Sequence, residues 1–244
     1  MFRQIYEREL SISEFFSAAW KFYTKHFNNI LPIILLIYIP ANILLYFISG
    51  SAIIAEDFDS YTDIINIIET LWGTIATIGI IFLVEKGTFE QEFEEANWRE
   101  GLSRAFSRWG SSIGTSILAG LIILGMTLLL IVPGVIWSVY YSFFIYVVAI
   151  RNLGGKKALN YSKSLVKGQW WKVFGVLFLF NIINIIIGFI LGFISGFLPE
   201  IIGIFTNTLI DLVGAYFTVL TAMFFLNLDF LKRRDEIPEL STDF

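Results

Sequence analysis

Two carboxylates, Glu69 and Asp211, stand inside otherwise apolar stretches of this 244-residue chain. An acid at the centre of a membrane span costs about 2.5–3.5 kcal/mol on insertion scales, so an acid retained there is a candidate for function. We expect Glu69 near the outer level of the membrane, and Asp211 either at a similar level or nearer the midplane if the last span begins at Ile201. Both would face a single outward-opening cavity that suits a cation or proton coupling. The alternative is structural: each acid is protonated or hydrogen-bonded near the headgroups and holds neighbouring helices together.

Amide side chains in the apolar stretches are the candidate companions of these two acids. They are Asn42, Asn66, Asn181, Asn184 and Asn207. We group Asn181 and Asn184 with Glu69 and Asp211 as the candidate intramembrane polar site. The apolar stretches contain no Lys or Arg that would pair with either acid.

Most other site chemistries are excluded by composition. The chain has no cysteine, which excludes disulfides, thiolate metal sites and cysteine nucleophiles, and its one histidine, His26, excludes any mechanism that needs a His pair. The sequence contains no Walker loop, G-x-S-x-G, H-E-x-x-H or dinucleotide fingerprint. We therefore expect no catalytic residue, no metal, no cofactor, no enzyme activity and no nucleic-acid partner.

Hydropathy predicts the elements that must position these acids. Apolar residues make up 56% of the chain and charged residues 16%, with a mean hydropathy of +0.72. A soluble domain has about 25% charged residues, so a single water-soluble domain is excluded. A bilayer core about 30 Å thick needs about 20 apolar residues per helix. The predicted spans are 30–48, 64–84, 113–132, 134–150, 173–195 and 208–230.

The predicted fold class is therefore all-α, a polytopic six-helix transmembrane bundle. Val132, Pro133 and Gly134 are expected to form the turn between spans three and four, because proline and glycine punctuate helices. Residues 1–231 form one integral membrane domain, and residues 232–244 are a tail. The start of the last span is open between Ile201 and a point near Asp211.

The distribution of basic residues predicts the orientation. All 17 Lys and Arg residues fall within four segments, 1–26, 86–108, 151–172 and 232–234. The charged residues of the loops assigned to the outer side are all acidic: Glu56, Asp57, Asp59, Asp63 and Glu200. Basic loops stay on the cytoplasmic side of membranes. We expect a multi-pass protein of the cell (cytoplasmic) membrane with both termini cytoplasmic and no cleavable signal peptide.

Amphipathic segments precede spans one, three and five. Ser11 with Glu14 has the spacing of a capping box, and Asn97 with Glu100 repeats it. The third segment lies within 157–171. These segments predict three interfacial helices, each followed by a two-span hairpin. Either they are copies of one repeated unit, or they reflect only the preference of aromatic and basic residues for the interface.

Glycines in the fifth span predict a helix contact. Gly188, Gly192 and Gly196 form a G-x-x-x-G-x-x-x-G ridge, and small residues let membrane helices approach closely. The ridge would bind another span, a second copy of the chain or a membrane partner.

The stretches I-V-P-G-V-I-W at 131–137 and A-L-N-Y-S-K-S-L-V-K-G-Q-W-W-K-V-F at 158–174 carry a family resemblance. They resemble the membrane domain of glycerophosphoryl diester phosphodiesterases and of related stand-alone six-span bacterial membrane proteins. The matching residues are Pro133, Gly134, Ala158, Leu159, Ser162, Leu165, Gly168, Trp170, Trp171 and, in a closing element, Asp229. Asn227 and Leu228 depart from the tyrosines common in that element.

The resemblance implies structural roles for the matching residues. Phosphodiesterase chemistry in the longer relatives resides in a separate barrel that needs paired histidines and metal-binding carboxylates, and we expect that domain to be absent from this chain.

Two functions remain after these exclusions, with an intramembrane enzyme a weaker third. The first is a non-catalytic membrane module that associates with the lipid bilayer or a membrane partner. Its basic third segment would engage anionic lipid headgroups on the cytoplasmic side, unless topology alone explains those charges. The second is a small transporter, exporter or immunity-type protein with a polar site near Glu69 and Asp211. A polar cavity bounded by both acids favours transport, whereas a solid core favours the module.

Overall fold

The protein is helical throughout the part of the chain that its computed structural model describes, residues 2–55, 58–89, 97–197 and 200–236. No strand occurs in these ranges, which confirms the all-α prediction. A short 3-10 helix, Arg3–Tyr6, comes first. The α-helices are α1 Ile12–Lys25, α2 Phe27–Ala55, α3 Phe58–Phe89, α4 Trp98–Leu129, α5 Ile131–Tyr141, α6 Phe144–Arg151, α7 Gly155–Val166, α8 Trp170–Ser195 and α9 Glu200–Glu236.

Six segments of these helices are long and apolar enough to cross a membrane, as the sequence predicts. The fourth is made by α5 and α6 together. The segments are Phe27–Leu44, Ile67–Phe89, Trp98–Leu129, Ile131–Arg151, Trp170–Ser195 and Phe205–Arg234.

Helices α3 and α4 pack antiparallel at close range. A Cβ placed on Gly79 would lie 3.4 Å from the carbonyl oxygen of Gly101. Further along the pair, the indole Nε1 of Trp109 donates a hydrogen bond of 2.9 Å to the carbonyl of Leu71. We call the bundle end near Lys86 the basic end, and the opposite end, near Glu69 and Asp211, the acidic end.

The apolar stripe of α1 is covered by α9. The rings of Phe15 and Phe224 lie 5.4 Å apart, and the hydroxyl of Tyr23 donates to the carbonyl of Leu212 at 3.0 Å. Trp20 lies on the same predicted stripe but is 59% exposed. Helix α1 therefore packs inside the bundle through most of its stripe.

The predicted capping box at the start of α1 is confirmed. The backbone N–H of Ser11 donates to the Glu14 carboxylate at 2.9 Å, and the reciprocal contact of the box is also made. The Arg8 guanidinium also hydrogen-bonds this carboxylate and, together with Ser11, lowers the pKa of Glu14 to about 2. The helix start is thus satisfied by its own side chains.

The second predicted interfacial helix does not exist as a separate element. Asn97 does cap a helix, since its side chain accepts a hydrogen bond from the N–H of Arg99. That helix, α4, then continues from Trp98 to Leu129. The junction contains Gly110 but no proline, so the backbone ladder is not interrupted. The three predicted units are therefore not equivalent.

The turn between spans three and four lies earlier than predicted. Helix α4 ends and α5 begins at Leu130, whose backbone is extended. Pro133 lies in the first turn of α5, where a missing N–H removes no intrahelical bond. Gly134 permits close packing on α4, because a Cβ there would lie 2.1 Å from the hydroxyl oxygen of Thr127. The motif thus stabilises a packed hairpin just after the turn.

The fourth span is broken at Ser142 and Phe143, and Ser162 of α7 bridges the break. The buried hydroxyl of Ser162 donates to the carbonyl of Tyr140 at 2.8 Å and accepts from the N–H of Phe143 at 3.1 Å. The lipid interior offers no partner to a broken backbone, so these groups must be satisfied by the protein.

The connection from α7 to α8 depends on Gly168 and Trp170. Gly168 has φ +90°, a left-handed conformation that favours glycine. The indole of Trp170 donates to the carbonyl of Ile136 at 3.2 Å, which ties the start of α8 to α5. Trp171 is largely exposed and contacts the edge of Trp170.

The last helix is longer at both ends than the predicted span 208–230. It begins at Glu200 and ends at Glu236. Lys232 and Arg233, which the prediction assigned to a tail, are therefore helical. The amino group of Lys232 donates to the hydroxyl of Ser164 at 2.6 Å. The prediction missed these contacts because the charged residues end the apolar run without ending the helix.

The glycine ridge of α8 meets no other helix within the described residues. A Cβ on Gly188 or Gly192 would contact nothing within 4 Å, and one on Gly196 would meet only the backbone of its own helix. A contact between this ridge and a second copy or a membrane partner stays a prediction.

Replacing Ser162 by alanine should destabilise the protein. The change removes the only hydrogen bonds described for Tyr140 O and Phe143 N at the break, and an unsatisfied buried polar group costs about 1–3 kcal/mol. Unfolding in detergent micelles, followed by tryptophan fluorescence, measures the loss. Ser107→Ala is the control, because Ser107 is exposed and bonds only within its own helix. Equal stability of the two variants would contradict the bridging role.

Replacing Gly168 by alanine should also destabilise the protein, by about 1–2 kcal/mol, because an L-residue is strained in the left-handed region. No neighbouring atom blocks the new Cβ, so any loss reports backbone strain alone. Gly175→Ala is the matched control, since Gly175 also has open space and lies within α8. The same micelle assay applies, and a variant as stable as this control would show that the turn accommodates alanine.

Candidate functional site

A polar cavity of about 390 Å³ opens at the acidic end between α2, α3 and α9. Both predicted acids, Glu69 and Asp211, line it, together with two of the predicted amides. The lining residues are Tyr38, Ala41, Asn42, Glu69, Thr70, Trp72, Asn207, Ile210 and Asp211.

Asn42 joins two walls of this cavity. Its buried amide donates to the carboxylate of Asp211 at 3.1 Å and to the hydroxyl of Thr208 at 3.4 Å. Asn42 belongs to α2, whereas Asp211 and Thr208 belong to α9. The hydrogen bonds therefore hold the two helices together and orient one Asp211 oxygen, which is part of the structural role that the sequence left open.

Glu69 lies on the α3 wall and differs from Asp211 in having no such partner. Its side chain is exposed, and it makes no hydrogen bond or ion pair with any described residue. Among the described lining residues there is no Lys, Arg or His. The cavity thus collects two carboxylates and several neutral oxygens without a basic side chain to neutralise them.

The inner boundary of the cavity is a close contact between α2 and α3. A Cβ on Gly73 would lie 3.0 Å from the hydroxyl oxygen of Tyr38, so the phenol packs directly over the glycine. Small residues in this part of α3 therefore serve helix packing, and they leave the space beyond Tyr38 to the cavity.

The other predicted amides are not brought to this cavity. Asn181 donates to the carbonyl of Leu177 within α8 and lines a separate groove of about 270 Å³ beside Ser138. Asn184 lies on α8 and is not part of the acidic lining. The side chain of Asn66 lies outside the described residues. In an apolar helix such as α8, the local sequence does not indicate which neighbouring helix its amide side chains will face.

A second cavity, of about 470 Å³, opens at the basic end and was not predicted. It lies between the N-terminal segment, α3, α4, α6 and α9. The lining residues are Tyr6, Phe82, Glu85, Lys86, Phe89, Glu100, Arg104, Arg151, Leu226 and Arg233. The sequence pattern explains Lys86, Arg104 and Arg233 only as signals of orientation, and it places Arg151 in the basic third segment, for which it also allows headgroup contact. Their convergence on one cavity depends on the packing of four helices.

The fully buried carboxylate of Asp229 organises the region behind this cavity. It accepts hydrogen bonds from Arg151 of α6 and Tyr161 of α7, and Arg233 lies 2.8 Å from it. Desolvation, together with the hydrogen bond to Asp229, raises the pKa of Tyr161 to about 12. The residue singled out by the family resemblance therefore holds three helices together.

Asn227, two residues before Asp229, secures the N-terminal segment. Its amide donates to the carbonyls of Ile5 at 2.8 Å and Arg8 at 2.7 Å, and its oxygen accepts from the N–H of Leu10 at 3.4 Å. This departure from the family's closing element thus has a structural function. The sequence carries no local signal for it, because the partners are backbone groups more than 200 residues away.

Within the described ranges, no group of three or more His, Cys, Asp or Glu residues is arranged to hold a metal ion. Comparisons with protein-family models, curated proteins and solved structures find no match to this chain. The resemblance to the phosphodiesterase membrane domains stays a prediction.

Replacing Asp229 by asparagine should lower the free energy of unfolding by about 3 kcal/mol, since removing one member of a buried ion pair leaves charge uncompensated. Unfolding in detergent micelles measures this loss. The control is Glu9→Gln, which removes one carboxylate from an exposed pair with Lys172 and should cost less than about 1 kcal/mol. Equal effects of the two changes would mean that Asp229 does not hold the helices.

Proposed function

We propose that this chain is a small membrane transporter that binds a cationic solute or a proton in the acidic cavity. The observation that carries the proposal is the convergence of Glu69 and Asp211, from α3 and α9, on one open polar cavity. An open cavity favours transport over a purely structural module. In such a module we would expect a closed core, with the two acids pointing to the headgroups.

The electrostatics of the lining favour a positive ligand. Two carboxylates face the same space, and none of the described lining residues carries a positive charge. Charges beside a low-dielectric wall interact more strongly than charges in bulk water. A cation or a bound proton therefore relieves the repulsion between the acids, and an anion is disfavoured.

The size and neutral groups of the cavity suit a small ligand. Its volume of about 390 Å³ falls within the range of about 300–1,000 Å³ that is usual for ligand pockets. Asn207, Thr70 and Tyr38 add amide and hydroxyl groups to the two carboxylates. A protonated amine would use its N–H donors on the carboxylates while Trp72 offers an apolar and aromatic surface.

Asn42 offers a way for the bound state to affect helix packing. Its hydrogen bond to Asp211 joins α2 to α9. A ligand that takes over the Asp211 carboxylate competes with this bond and weakens the contact between the two helices. Binding at the acidic end is thereby coupled to the relative position of two spans, which transport requires. The orientation that we propose from the basic residues places this cavity on the outer face of the cell membrane.

The second candidate is a non-catalytic module that associates with lipid or a membrane partner. It is favoured by the apolar face of α8, on which Phe189, Phe193 and Phe197 are each more than 60% exposed. Lipid or a partner helix would cover this face in a membrane. A transporter has lipid-facing residues as well, so the face is compatible with both functions and the acidic cavity decides our preference.

Uptake of radiolabelled guanidinium, a permanently charged cation with N–H donors, into proteoliposomes tests the proposal. With an inside-negative potassium diffusion potential, the native protein should accumulate the probe above empty liposomes. Glu69→Gln and Asp211→Asn, which keep side-chain shape, should each reduce uptake about tenfold, the effect of losing ~1.4 kcal/mol of charge interaction. Proton coupling is measured in parallel with a pH-sensitive dye inside the same vesicles.

The control is Glu9→Gln, which removes a carboxylate that is outside the acidic cavity. It should leave uptake and proton flux unchanged. Folded protein that moves neither the probe nor protons would refute transport and favour the second candidate. Wild-type flux in both Glu69→Gln and Asp211→Asn would exclude the acidic cavity as the site.

A further inference from the structure

We infer that the cavity at the basic end is a binding site for a phosphate group, either that of a lipid headgroup or that of a soluble phosphate compound. The inference concerns the opposite end of the bundle and does not depend on the proposed transport function. It rests on how the charged residues of this cavity are paired with one another.

Arg104 is the basic residue of the described lining that forms no ion pair, although the Glu85 carboxylate interacts with it electrostatically. Its guanidinium lies 4.9 Å from the centre of the Phe82 ring, and no described carboxylate lies within ion-pair distance. The neighbouring Lys86 is paired with Glu100 at 2.8 Å. Arg104 therefore offers a fork of N–H donors to the cavity, held in place by an aromatic ring.

Two further guanidinium groups share a single carboxylate. Arg151 and Arg233 both contact Asp229, which lies behind the lining. The Nε of Arg151 is buried and has no hydrogen-bond acceptor among the described residues. One negative charge cannot satisfy the donors of two guanidinium groups, since each presents five N–H donors.

The charges in and behind the lining leave a small positive excess. The cations are Lys86, Arg104, Arg151 and Arg233. The anions are Glu85 and Glu100 in the lining and Asp229 behind it. One positive charge thus remains, which a singly charged phosphate group would neutralise. Arginine favours such a ligand, because its planar fork matches phosphate oxygens in two parallel hydrogen bonds.

The remaining lining suits the uncharged part of such a ligand. Tyr6, Phe82, Phe89 and Leu226 provide aromatic and apolar surface beside the arginines. Phe89 is 75% exposed at the mouth of the cavity. A lipid would place its glycerol and first acyl carbons on this surface, whereas inorganic phosphate would use the arginines alone.

Binding is measured on the full-length protein in detergent micelles, at constant ionic strength, by the shift of the thermal unfolding midpoint. One arm uses dihexanoyl phosphatidylglycerol, and the other uses inorganic phosphate. We expect at least one of these to raise the midpoint in a saturable manner. If only the lipid raises the unfolding midpoint, the site binds lipid headgroups. If inorganic phosphate raises the midpoint equally, the site binds soluble phosphate compounds.

Arg104→Gln should weaken binding of the protecting probe about tenfold, because it removes a charge-assisted hydrogen-bond donor. Arg99→Gln is the matched control: Arg99 lies on the same helix, stacks at 5.1 Å on Trp98 and does not line the cavity. It should bind as the native protein does. Lys86→Gln is a second cavity variant on another helix and should also weaken binding, should Arg104→Gln fail to fold.

Two results would overturn the inference. Equal weakening by Arg99→Gln and Arg104→Gln would show that the probe responds to surface charge in general. No saturable protection of the native protein by either probe would show that the cavity does not bind phosphate.

Discussion

The Asp229 carboxylate carries charge at a position with no access to solvent, and a buried charge is tolerated only where donors surround it. Those donors are Arg151 of α6 and Tyr161 of α7, which precede Asp229 by 78 and 68 residues, and Arg233, one turn further along α9. The end of the fourth span, the amphipathic helix α7 and the last span are thereby held in one arrangement. The basic cavity forms beside this cluster, because two of the same arginines also line it.

Buried backbone groups also need hydrogen-bond partners, and this need explains two other polar contacts of the bundle. Ser162 satisfies the break in the fourth span, and Asn227 satisfies three backbone groups of the N-terminal segment. Ser162 and Asn227 are both buried in protein, and buried backbone groups need such partners in place of water. Ser162 and Asp229 both have structural roles through these contacts.

Helix α9 connects the two cavities. Asp211 lines the acidic cavity and Asp229 lies behind the basic one, roughly 27 Å apart at a helical rise of about 1.5 Å per residue. The helix is uninterrupted between them. In our proposals the two ends bind ligands of opposite charge, a cation at one and a phosphate group at the other.

Composition and hydropathy determine the fold class and the number of spans, because both depend on residues close together in the chain. Tertiary structure decided the rest. Whether α4 starts as a separate helix, where the fourth span breaks and which amides reach the acids all depend on long-range packing. Arg104, Arg151 and Arg233 show the difference most clearly: local pattern explains each as a charge that sets orientation, whereas only the packing of α4, α6 and α9 brings them to one cavity.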